Sequence, residues 1–263
     1  MNRKWLLLLL ALPGCGVSTA SLAAQTSIAP EDIRSGYEFL QPDTRFLQDD
    51  DFSNPGYLWI DRGERLFLEP SPEGGPACSS CHASQDLTLS GVAARYPAFD
   101  AREGKLVNLE GRINICRSNH QALAPLPYES DDLLALAGYV SSLSRGMPID
   151  VVIDGPARAY FDLGQTYFFT RKGQLNLACS QCHNEHWGKK LRGDTISQGH
   201  GNAFPAYRLE WQAFGSLQRR LRDCDTGIRA EPLPFGSETY TALELYLASR
   251  AQNLTMESPG VRR

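Results

Sequence analysis

After Ser130 the apolar residues Leu133, Leu136, Val140 and Leu143 recur at helical spacing and share one face, predicting a helix with Ser130 as its N-cap. Gly146 and Pro148 supply its end. The pattern returns later in the chain. Ala242-Leu243-Glu244-Leu245-Tyr246-Leu247-Ala248-Ser249 echoes Ala135-Leu136-Ala137-Gly138-Tyr139-Val140-Ser141-Ser142. A second pair of stretches agrees as well: residues 59–67 and 160–168 share an Asp-x-Gly, at Asp61 to Gly63 and Asp162 to Gly164, with aromatic and apolar positions around it. The chain therefore reads as two copies of one helical unit, each opening and closing on a helix. Gly63 and Gly164 fall inside the opening helices, where a missing side chain lets a second helix come close.

Between the helices the chain is rich in Gly, Pro, Asn and Arg, which predicts loops rather than sheets. Residues 25–57 precede the first unit. Ile33, Tyr37, Phe39 and Leu40 suggest a short packed helix there, and Asp49, Asp50 and Asp51 a solvated break. Pro148 to Pro156 reads as the link between units, giving units 58–147 and 148–263. Residues 1–24 read as an export signal, with Asn2-Arg3-Lys4, an apolar run from Trp5 to Leu12, and small residues through Ala24. That run is too short to span a bilayer, and no later stretch is long enough either. A lipid anchor at Cys15 is the minor alternative to a soluble periplasmic protein.

A net charge of -4 supplies no basic surface for phosphates, so nucleic acid is not an expected partner. Cysteine changes the picture more. Six remain beyond the signal: Cys78, Cys81, Cys116, Cys179, Cys182 and Cys224. In an exported chain the default is three disulfides. Here four of them form Cys78-Ser79-Ser80-Cys81-His82 and Cys179-Ser180-Gln181-Cys182-His183, at the same offset within each unit. This C-x-x-C-H spacing suits c-type haem: two thiols bond to the porphyrin edge, and the next residue brings an imidazole to the iron. The expected fold is mainly α, two tandem cytochrome c-like domains each wrapping one covalently bound haem, with His82 and His183 as proximal ligands.

The distal ligands are read from what is left. Methionine is the common choice, but beyond the initiator there are only Met147, at a helix end, and Met256, near the C-terminus. Cys116 and Cys224 instead occur once per unit, each at a similar interval before its closing helix, so each is expected as the sixth ligand of its own iron. A Cys116–Cys224 disulfide is the competing reading and needs Cα atoms within about 7 Å. Arg219, Arg220 and Arg222 crowd Cys224 within one helical turn, where guanidinium groups suit a sulfur oxyanion and favour a reactive sulfur anion. The alternative function is a dihaem electron carrier without transferase activity. A dihaem peroxidase needs an open distal site with acid and base residues.

Gly111-Arg112-Ile113-Asn114-Ile115-Cys116-Arg117, Ser144-Arg145-Gly146-Met147-Pro148, Gly201-Asn202-Ala203-Phe204-Pro205-Ala206-Tyr207-Arg208 and Arg220-Leu221-Arg222-Asp223-Cys224 carry a closer likeness. Over nearly the whole mature chain the sequence resembles the SoxA family, cytochrome subunits of the SoxAX complex in bacterial thiosulfate oxidation. The resemblance implies an L-cysteine S-thiosulfotransferase that joins thiosulfate to a cysteine of the SoxYZ carrier and passes two electrons to a cytochrome c acceptor. It implies a heterodimer with a SoxX-type monohaem cytochrome c, a persulfide on Cys224 as the catalytic intermediate, and Arg220 as the substrate-binding residue. Some members lack the first haem. This sequence keeps Cys78, Cys81 and His82, which places it with the dihaem type.

Overall fold

The computed structural model describes residues 28–82 and 88–263. The expected signal and Cys15 lie outside the described residues.

Two crossed helix pairs carry the architecture. The first is α2 (Tyr57–Leu68) with α5 (Asp131–Ser142), and the second α6 (Arg158–Phe169) with α9 (Glu238–Arg250). The crossing points are the glycines singled out by the repeat. A Cβ on Gly63 would run into the carbonyl of Ala135, and one on Gly164 into that of Ala242, the matching residues of the two closing helices. Backbone cannot yield as a flexible side chain can, so only glycine permits this approach. Ser130 caps α5 through the Leu133 N–H, and Ser237 caps α9 through that of Tyr240.

The middles are less loop-like than their composition suggests. Each contains a helix bearing its last cysteine: α4 (Leu109–His120) holds Cys116 and α8 (Leu217–Gly227) holds Cys224. Short sheets also form, two hairpins (β1 Ala98–Asp100 with β2 Lys105–Val107; β3 Lys190–Leu191 with β4 Asp194–Thr195) and a three-stranded sheet. In the latter β5 (Ala206–Arg208) pairs antiparallel with β6 (Ala213–Gly215) and parallel with β7 (Gly260–Arg262). That sheet couples the halves. Phe214 of β6, 1% exposed, stacks on Trp59 of α2 at 5.6 Å and lies against Gly138 of α5.

The extension differs from expectation in where it folds and what it touches. Residues 36–39 make a single 3-10 turn, and the helix comes later as α1 (Pro42–Asp49), opened by Pro42 where a missing N–H costs nothing. Its partners belong to the second half. Arg34 N–H donates to Gln198 Oε1 at 2.8 Å, Gln48 Oε1 accepts from Val261 N–H at 3.0 Å, and Phe39 packs edge-on against Trp187.

The halves also meet around two buried carboxyls, Glu110 of α4 and Glu244 of α9, which line one cavity of about 90 Å³. Burial pushes Glu110 up to about 7, and burial together with Glu110 drives Glu244 well above the usual carboxylate range. Glu129 adds like charge and Tyr128 faces both, while Asn108 and Gln218 oppose the rise at Glu244. Both acids fold best neutral. For Glu110 the stabilising contribution is complete below the unfolded value of 4.5 and is lost as pH climbs through about 7, and Glu244, raised well above the usual carboxylate range, contributes in the same direction. Thermal unfolding should therefore show a chain more stable at pH 5 than at pH 8, by an amount of order 2–3 kcal/mol. Glu244→Gln should flatten that dependence, and an unchanged slope in the variant would place its origin elsewhere.

Candidate functional site

The two C-x-x-C-H motifs form single helical turns, α3 (Ser79–His82) and α7 (Cys179–His183). Three-residue spacing on a turn puts both thiols on one side, with the imidazole next along. All six described cysteines beyond the signal are free, and each distal cysteine faces its own pair. Cys116 lies within electrostatic range of Cys78 and Cys81, and Cys224 of Cys179 and Cys182. The cross-domain disulfide has no support in this arrangement.

The surroundings of His183 fix its ring and its tautomer, as a metal ligand would need. Its Nδ1 lies 2.8 Å from the Ser197 carbonyl, which can only accept, so Nδ1 carries the proton and Nε2 keeps a free lone pair. Burial pushes the ring down to about 4, so it stays neutral. Gly199, at φ +76°, lies flat on the imidazole, where a Cβ would come 2.8 Å from Cγ. Two thiols, a fixed neutral imidazole and a facing thiol suit a covalent haem at this site. In the first half Phe67 packs between His82 and Tyr139, at ring separations of 6.3 and 5.3 Å.

The methionines are placed elsewhere. Met256 is buried in the hydrophobic core with Ile149, Val151 and Leu245, and its N–H donates to the Met147 carbonyl at 2.9 Å. Of the remaining histidines, His200 is buried beside Gln198, with Nε2 3.2 Å from Gln198 Oε1, and lies within electrostatic range of His183. His186 is exposed, its Nδ1 donating to the Gln181 carbonyl.

α8 is pinned at both ends with Cys224 between. Ser216 caps it by accepting from the Arg219 N–H, and Asp225 accepts hydroxyl hydrogen bonds from Tyr167 and Tyr240 at 2.6 and 2.7 Å, with Lys172 3.4 Å away. The three arginines expected to act together are not equivalent. Arg219 stacks on Trp211 at 4.4 Å, and Arg222 lies over Phe235 while donating to the Leu233 carbonyl. Arg220 is one helical turn before Cys224 on the same face, and among the described residues its side chain has no hydrogen bond or ion pair. Around Cys116 the opposite holds: Arg112 is ion-paired with Asp100 and donates to Tyr96, and Arg117 donates to the Ala124 carbonyl and faces Glu73 at 3.8 Å.

Sequence reasoning missed Gln198, Gly199, His200 and Arg250 as neighbours of His183, the expected second proximal ligand. Only Gly199 could have been flagged, as a glycine shortly after a haem motif.

A turn carrying two thiols and a neutral, oriented imidazole defines a c-type cytochrome, a haem c protein. Residues 62–149 match the family described as SoxA/TsdA, cytochrome c domain. The chain is 37% identical to the L-cysteine S-thiosulfotransferase subunit SoxA of Rhodovulum sulfidophilum, over 94% of this chain and 86% of that one. It is equally similar, at 37%, to the subunit of the same name from Paracoccus pantotrophus, over 88% and 80%. The crystal structure of SoxXA from P. pantotrophus superposes with a TM-score of 0.83, covering 88% of this chain and 87% of that one. The chain belongs to the SoxA family.

Proposed function

We propose that this chain is the catalytic dihaem subunit of a thiosulfate-oxidising complex, acting as an L-cysteine S-thiosulfotransferase on a cysteine of the SoxYZ carrier. The observation that carries the reading is Arg220 beside Cys224, without a side-chain partner among the described residues, in contrast to the ion-paired Arg112 beside Cys116. A sulfonate is a planar-faced, multiply accepting anion, and a guanidinium without other partners suits it. Cys224, close both to that charge and to the Cys179–Cys182 pair, is the sulfur that takes part in turnover, as a persulfide.

In the net reaction the outer sulfur of thiosulfate and the carrier's cysteine sulfur join in a new S–S bond. The carrier thiol gives up its proton, and two electrons leave. Haem, when bound, supplies the acceptor for those electrons before they pass to a cytochrome c. Cys78 and Cys81 would hold one group covalently, with His82 and Cys116 serving its iron, and Cys179 and Cys182 would hold the other, with His183 and Cys224 serving its iron. Arg220 binds and orients the dianion, the Ser197 carbonyl keeps His183 in the required tautomer, and the two-ended anchoring of α8 holds Cys224 in place.

The domains are taken as 58–147 and 148–263, the second being the reacting one. A SoxX-type monohaem cytochrome is the proposed heterodimer partner, supported by the solved SoxXA complex that this chain resembles. The proposed compartment is the periplasm. No helix among the described residues is long and apolar enough to cross a membrane. A dihaem carrier with His/Met ligation is not favoured, because Met256 is committed to the core.

Intact mass of the purified protein tests the cofactor assignment. Two covalent haems are expected, with ferric spectra showing thiolate rather than methionine ligation. A mass increment of one haem or none would contradict it.

A further inference from the structure

Arg208, at the end of the central strand β5, is 3% exposed. Its Nη2 is occupied, donating to Glu210 Oε2 at 2.8 Å and to the Arg263 carbonyl. Nε and Nη1 are buried and have no acceptor among the described residues, which leaves three N–H donors unmatched. Buried donors on a charged group are seldom left unpaired, because they have exchanged water for nothing.

The position of this guanidinium gives the mismatch a direction. It lies within electrostatic range of Arg220, Asp223 and Cys224. It is also held in place, stacked over Trp211 at 4.8 Å, and the indole in turn donates to Asp223 Oδ2 at 2.7 Å. Arg208, Trp211 and the cysteine-bearing turn of α8 are thereby one connected unit. Two cations approach each other here, one buried and short of acceptors and the other unpartnered. An oxyanion relieves both conditions at once.

We propose that Arg208 is a buried oxyanion-binding residue of the Cys224 site, working with Arg220. The shared chemistry is a group with several acceptor oxygens, either the sulfonate of thiosulfate or a carboxylate of the haem that this site would hold. The inference rests on the functional reading above.

The test uses the complete complex carrying both haems, with Arg208→Gln, Arg208→Lys and Glu210→Gln compared with wild type. Glu210→Gln breaks the same ion pair but keeps the guanidinium, so it reports the structural contribution alone. Two quantities are read: KM and kcat for thiosulfate, and the midpoint potential of the second haem. A rise in KM of about tenfold or more in Arg208→Gln with the potential unmoved assigns the sulfonate. A lowered potential with KM unmoved assigns the carboxylate. Arg208→Lys should fall between wild type and Arg208→Gln, since an ammonium keeps the charge but not the fork, and it serves as the test if Arg208→Gln fails to fold. The inference is overturned if KM and potential both stay at wild-type values in a variant that retains two haems, or if Glu210→Gln reproduces the changes. Failure of wild type to turn over thiosulfate would instead remove the functional reading, and the potential would still test Arg208.

Discussion

Cys224→Ala should lose thiosulfate-dependent reduction of cytochrome c in the presence of carrier, by more than about a thousandfold, while Cys116→Ala keeps a substantial fraction of the wild-type rate. The two cysteines occupy matching places in a duplicated unit, each on the helix between haem motif and closing helix, and each facing its own cysteine pair. What separates them is the surrounding charge. Near Cys116 the guanidinium of Arg112 is committed to Asp100 and Tyr96, and Arg117 to the Ala124 carbonyl. Near Cys224 the guanidinium of Arg220 has no hydrogen bond or ion pair among the described residues, which suits it to a dianion. A nucleophilic sulfur needs a bound substrate as well as reactivity, and on the proposed reading the second site is the one that would offer both. The assay is steady-state cytochrome reduction on variants checked for haem content, and near-normal activity in Cys224→Ala would return the chain to the electron-carrier class.

Arg220→Ala should lower kcat/KM for thiosulfate by one to two orders of magnitude, because charge-assisted hydrogen bonds are worth roughly 1.5–3 kcal/mol each. Arg220→Lys should restore part of the loss, since one ammonium cannot supply the planar fork. The neighbouring arginines provide the contrast that the sequence does not. Arg219 is stacked on Trp211, and Arg222 is bonded to the Leu233 carbonyl over Phe235, so their removal should disturb packing of α8 more than substrate affinity. Equal KM effects at all three positions would contradict the assignment to Arg220.

The parts legible in the sequence are those encoded locally or by repetition. The C-x-x-C-H turns, the Ser130 cap and the paired glycines of the crossings all stand where the pattern puts them, and the glycine contacts fall on Ala135 and Ala242, which the repeat had already aligned. What escaped depends on contacts between distant segments. β7 joins β5 from the far end of the chain, and the extension anchors on Gln198 and Val261, neither of which leaves a periodic trace. The mixed, strongly polar sequence of α4 hides a helix, and the extents of both α4 and α8 depend on capping by Asn108 and Ser216 and on packing. The spacing of Arg219, Arg220 and Arg222 does not separate them, and only the family resemblance singles out Arg220; the structural inequality is set by Trp211 and Phe235.

The fate of the carrier tests the thiosulfate transfer most directly. After incubation of the complex with thiosulfate, oxidised cytochrome c and SoxYZ, the carrier's mass is measured while reduced cytochrome is counted. The expected result is a carrier whose cysteine has gained one S-thiosulfonate group, with two equivalents of cytochrome reduced for each adduct, and no adduct when Cys224 is replaced by alanine. Cytochrome reduction with the carrier's mass unchanged would contradict the account.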